Sequence, residues 1–112
     1  MIDPTNDGHE EIRISIDEAE EVIKLKDDIN KLTSMPLFIE VVGEKYFKEE
    51  SVRLVSLMGE DNVTAENKIE FNKMMYGIAY FQRWLRHCVL EGMEMEQYVE
   101  NATEELNRVE VD

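Results

Sequence analysis

From Phe71 onward the apolar residues of this chain recur at alternating spacings of three and four: Phe71, Met74, Ile78, Phe81, Leu85, Cys88, Gly92, Met95, Val99, Ala102, Leu106 and Val109. No polar residue interrupts that row. A seven-residue hydrophobic repeat held over this length is the pattern of a helix packed along a seam. Gly92 occupies one of the repeat positions, and a turn there would have no reason to keep the phase on its far side. A glycine inside a helix costs about 1 kcal/mol relative to alanine, which many seam contacts offset. The pattern predicts one helix from about Ala65 to about Val109, roughly 65 Å long at about 1.5 Å per residue.

Upstream, Ser15 and Glu18 in "SIDE" have the spacing of a capping box, so a helix is predicted to start there. Ile16, Ala19, Val22, Ile23, Ile29 and Leu32 give it one broad apolar face. Pro36 ends it, and Ser34 is the expected cap of a second helix holding "LFIEVV" and stopping at Gly43. A strand is the rival reading of that apolar run, but nothing else in the sequence offers a strand to pair with it. After the Gly43 break, Val52, Leu54, Val55, Leu57 and Met58 mark a third short helix that ends at Gly59, and Thr64 is the expected cap of the long helix. The expected fold is all-α, with short helices packed on the first half of one long C-terminal helix that continues as a coiled-coil-like extension. Residues 1–14 read as a mobile acidic tail, 15–92 as the helical body and 93–112 as the acidic continuation.

What flanks the seam changes along the long helix. Met75, Trp84 and Val89 widen it in the first half, whereas Glu91, Glu96, Glu105 and Glu110 border it in the second. Charge follows the same division. The 112 residues hold 26 acids and 12 bases, a net −14. Residues 1–31 carry 10 acids and 4 bases, 32–90 carry 8 and 7, and 91–112 carry 8 and 1. So acidic a chain is a poor ligand for free nucleic acid. No apolar run approaches the roughly 18 to 20 residues that span a bilayer, and the acidic start does not resemble a secretory signal. The expectation is a soluble, unexported protein. Cys88, the only cysteine, allows no intrachain disulfide and reads as a buried apolar residue.

Candidate chemistry is sparse. His87 and Cys88 are adjacent, so on a helix they point about 100° apart and cannot act on one face as base and nucleophile. His87 and Glu91 share a face at i, i+4, but no third ligand has matching spacing, and a surface hydrogen bond is the simpler reading. There is no phosphate loop, nucleophile elbow or calcium loop. Arg83, Arg86 and His87 cluster with aromatics in "FQRWLRH"; Trp84 and Leu85 are expected to pack inward, leaving the arginines to neutralise acids. The sequence therefore predicts a protein that is not an enzyme and takes no cofactor or metal.

The stretch "LTSMPLFIEVVGEKYFKEESVRLVSLMGE", followed by a long patterned helix with "YGIAYFQRWL", resembles small proteins that tailed bacteriophages encode among their virion and DNA-packaging genes. The resemblance covers roughly Leu32 to Glu91 and implies a non-enzymatic role in virion assembly, in the host cytoplasm or the virion, with no catalytic residues to carry over. The expected interaction residues are Met95, Val99, Ala102, Leu106 and Val109 along the seam, with Glu91, Glu96 and Glu105 beside them. They would meet a protein partner or a second copy in a homo-oligomer, not nucleic acid or a membrane. A parallel homodimer would set Glu91 and Glu96 against their counterparts, so an antiparallel pairing, a higher oligomer or a basic partner is favoured. The alternative is an acidic mimic of nucleic acid that inhibits a host DNA-binding enzyme. A metal-dependent activity through His87 and Glu91 is a third reading.

Overall fold

Three helices account for the described chain. In this computed structural model the backbone is described for residues 7–111 and the side chains for residues 13 and 15–108. The first helix is Asp7–Thr33, the middle one spans residues 36–58, and the long one is Ala65–Val111. The all-α class and the long C-terminal helix are as the hydrophobic pattern predicts, and the long helix runs through Gly92 without a break.

Each boundary has a local cause. The first helix begins at Asp7, ahead of the Ser15 position that the capping-box spacing suggests. Of the expected N-terminal tail, residues 1–6 lie outside the described residues. The helix ends by tightening, with the Ser34 and Met35 amides donating to the carbonyls of Lys31 and Leu32 at 3.3 and 3.1 Å. Met35, not Ser34, is the cap residue of the middle helix. Its extended backbone (φ −69°, ψ 130°) is what the following Pro36 imposes. Thr64 caps the long helix as expected: the Asn67 amide donates to Thr64 Oγ1 at 3.1 Å.

The middle helix corrects a prediction. Gly43 does not end it; Pro36–Phe38 leads into a π-helical segment, Ile39–Glu50, and then into α-helix again over Ser51–Met58. The inward residues explain why. Phe38, Val42, Phe47, Ser51 and Leu54 are all buried or half-buried, yet at α-helical pitch Phe38 and Phe47 would lie roughly 180° apart. With bonds reaching one residue further, a turn holds about 4.4 residues, and nine residues make about two whole turns. Both phenylalanines then share a face. The spacing that looks like a break between two α-helices is the spacing of a wider one.

The helices form two compact units. One joins the first helix, up to Asn30, with the long helix from His87 onward; the other is Lys31–Arg86. In the second unit the core is Leu54, fully buried, with Ile78 and Leu85, and the Phe47 and Phe81 rings meet at 5.6 Å between centroids.

In the first unit the helices run antiparallel. Lys26 lies against Gly92, while Ala19 and Val22, earlier in the first helix, share a groove with Met95 and Tyr98, later in the long one. Ala19, Ile29, Cys88 and Ala102 are buried here, so small residues dominate the seam. Gly92 is the point of closest approach. A Cβ on Gly92 would sit 2.8 and 2.9 Å from Lys26 Cγ and Cδ, and closer still to Lys26 Cβ. The near end of a side chain cannot swing away, so the helices would have to part.

Two glycines of the long helix should thus respond oppositely to alanine. A methyl group on Gly77 would enter open space, with nothing within 4 Å, so Gly77→Ala is expected to stabilise by about 1 kcal/mol through helix propensity. Gly92→Ala gains the same propensity but overpacks the seam at a cost of about 1 to 3 kcal/mol, leaving it neutral to destabilised by about 2 kcal/mol. Thermal or urea unfolding of the two variants checks the ordering; a stabilisation by Gly92→Ala equal to that by Gly77→Ala would contradict the close contact.

Candidate interaction surfaces

Around Gly92 a charged side chain is built into the seam. Lys26 is only 8% exposed, its carbon stem covering Gly92 and its ammonium bonded to Glu96 of the long helix and 3.3 Å from Asp27 Oδ1. The stem supplies apolar contact and the head keeps polar partners. The hydrogen bond to Glu96 raises the Lys26 pKa, against the opposing effect of burial. Because the folded-state value is the higher one, this contribution to stability is complete below the unfolded lysine value of about 10.4 and is lost as pH rises through the folded value. Lys26→Met keeps the stem and removes the charge. The stability difference between wild type and Lys26→Met should therefore shrink above about pH 10.4 and stay constant across neutral pH, as followed by chemical denaturation. A difference independent of pH through about pH 12 would mean that the ion pair contributes nothing.

The residues expected to dock a partner are in part occupied by the chain itself. Ala102 is buried, and Met95, Val99 and Leu106 are half-buried, on the side of the long helix that meets the first helix. Met95 lines an open groove of about 340 Å³ with Ser15, Glu18, Ala19, Val22 and Tyr98. Glu96 holds Lys26, a Glu91 carboxylate oxygen lies 3.1 Å from His87 Nε2, and Glu105 is exposed. The Val109 side chain lies outside the described residues. The sequence pattern is that of a seam, and the partner the structure supplies for it is the first helix.

Cys88 is buried, and burial, with the charge of Glu91 as a second cause, pushes its thiol pKa up, away from a reactive thiolate. Among the described residues no group of three or more His, Cys, Asp or Glu side chains is placed to hold a metal ion. No helix of the described residues is long and apolar enough to cross a membrane.

The unit Lys31–Arg86 carries the surface that sequence reasoning missed. Trp84 does not pack inward: it is 48% exposed, and Tyr76 and Tyr80 are 60% and 61% exposed. At about 100° per residue, Ile69, Tyr76, Tyr80 and Trp84 fall on one side of the long helix, and Phe71, Ile78, Phe81 and Leu85 fall on the other. The second set faces the core. The first makes an aromatic face on water, with exposed Lys73 set between Ile69 and Tyr76, and the Tyr76 and Tyr80 rings stack at 6.0 Å. A helical wheel of residues 65–86 alone would have revealed it, because that segment is apolar on two sides where a half-buried helix needs only one.

The same unit has an open groove of about 400 Å³ lined by Val41, Tyr46, Met74, Gly77 and Ile78, together with Lys45 and Glu50. Arg53 donates to both carboxylate oxygens of Glu50, from Nε at 3.0 Å and from a terminal nitrogen. That fork holds the Glu50 pKa below the ordinary carboxylate value. Leu37, Val52 and Val55 add exposed apolar area on the middle helix.

Charge divides sharply between the units. Residues 1–30 and 87–112 hold 18 acids and 4 bases, while residues 31–86 hold 8 and 8. The entire net −14 belongs to the first unit, and the second is neutral.

No protein-family model, curated protein or solved structure matches the chain.

Proposed function

We propose that this is a non-enzymatic interaction protein that works through helix-mediated protein contacts, with the aromatic face of the long helix as its principal docking surface. One observation carries the reading: Ile69, Tyr76, Tyr80 and Trp84 stand exposed on one face of a unit with no net charge. Large contiguous apolar area is costly to leave in water and marks sites that are covered in use, and tyrosine and tryptophan are the residues that anchor protein interfaces. The resemblance of Leu32 to Glu91 to small tailed-phage proteins sets the proposed role in virion assembly, as a structural accessory in the host cytoplasm or the virion.

A second reading draws on the other unit. Exposed Glu94, Glu96, Glu100, Glu104 and Glu105 line the long helix where the charge is concentrated, and carboxylates spaced along a helix can occupy the basic groove of a DNA-binding enzyme. The buried seam of Ala19, Ile29, Cys88 and Ala102 serves folding in either case.

Replacing Tyr80 by a photo-crosslinking phenylalanine analogue, with the same replacement at Glu104 as the comparison, separates the two in the native host. Cross-linking to protein from position 80, and little from 104, is the expected result. Cross-linking from 104 to a DNA-binding enzyme, with none from 80, would favour the mimic and overturn the first reading.

A further inference from the structure

We infer that the unit built from the first helix and residues 87–112 is a salt-dependent clasp: its two acidic helices repel each other, Lys26 latches them, and the first helix lifts from the long one where charge is unscreened. The helices that close on each other carry like charge, with 18 acids against 4 bases in residues 1–30 and 87–112, and net charge of one sign opposes a compact state. The apolar contact that holds them is slight. Of its buried apolar residues Ala19, Ile29, Cys88 and Ala102, only Ile29 is large, and an open groove of about 340 Å³ is left beside Ala19 and Met95. Lys26 is the base set into the seam. Its stem covers Gly92 and its ammonium reaches Glu96 on the long helix, whereas Lys24 pairs with Asp28 of its own helix. Screening decides the balance between latch and repulsion. Charges act over about 30 Å in 0.01 M salt, more than the roughly 8–10 Å between packed helix axes, and over about 3 Å in 1 M salt. Repulsion thus spans the helix pair in the first case and is confined to neighbours in the second, while apolar contact is not screened. Residues 31–86, with 8 acids and 8 bases, lack this repulsion. Opening bares Ala19, Val22, Ile29, Met95 and Ala102, so a seam that is internal in the closed unit is open to a second protein in the other state.

Cys88, the only cysteine and buried in this unit, reports the opening. The test is the rate of its alkylation by uncharged iodoacetamide in the purified full-length protein, from about 0.01 M to about 1 M KCl. Each rate is divided by that of the urea-unfolded chain at the same salt. Wild type is expected to slow by at least about fivefold as salt rises, because labelling follows the open population. Screening of Glu91 eases ionisation of the thiol and acts in the opposite direction. Replacing exposed Glu20, Glu21, Glu100 and Glu104 together by glutamine should cut the salt effect to less than half of the wild-type ratio. Lys26→Met should steepen it, since any packing that the methionine gains or loses is the same at every salt concentration. Amide exchange of residues 78–86 should not change with salt. A smaller wild-type effect than about fivefold overturns the inference, and so does a fourfold glutamine variant that keeps the full effect. Equal salt dependence at residues 78–86 would place the repulsion in the whole fold and overturn the clasp. An unchanged salt dependence in Lys26→Met overturns the assignment of Lys26 as the latch.

Discussion

The structure depends on an unbroken helix that must bury something along all of its length. Ala65–Val111 passes through both compact units, and no helix of this kind is held by backbone hydrogen bonds alone. Its first part is held by Leu54, Phe47 and the rest of the middle helix, its second by the first helix across a seam of small residues. Gly92 is where the second contact is tightest. A larger residue would push Lys26 off the helix, and with it the ion pair to Glu96 that closes the seam. The glycine that looks like a breakpoint in the sequence is therefore a contact point, and the modest propensity loss of about 1 kcal/mol is offset by the close approach it permits.

Much of this is legible in the sequence. A seven-residue repeat kept in phase from Phe71 to Val109 leaves few alternatives to one helix, and Thr64 stands where a cap is needed. The readings that fail each have a specific cause. Phe38, Val42 and Phe47 follow a period between four and five, which mimics an interruption when judged against 3.6. Ser15 and Glu18 have the spacing of a cap but lie inside a helix that starts at Asp7, because spacing alone does not fix which turn is the first. The size of Trp84 suggests the core, although the helix already has an inward row in Phe71, Ile78, Phe81 and Leu85.

The candidate site is the least legible part, for a physical reason. A seam reads the same in sequence whether its partner is the same chain or another, so Met95, Val99, Ala102 and Leu106 point to docking when the first helix is available to cover part of them. Exposure is what separates the two cases, and exposure is a tertiary property. It moves attention to Ile69, Tyr76, Tyr80 and Trp84, which stand exposed in the unit without net charge. Each unit thus has its own character: a neutral one with an exposed aromatic face, and an acidic one whose helices close on a seam that includes Ala19, Ile29, Cys88 and Ala102.

Amide hydrogen exchange across Gly92 tests the central claim most directly, because it reports whether the helix and its cover persist at that residue. Continuity under the first helix predicts that the amides of residues 90–96 exchange as slowly as those of residues 78–86. Fast exchange confined to residues 91–95, with slow exchange on both sides, would show that the chain opens at Gly92 and would contradict a single helix through it.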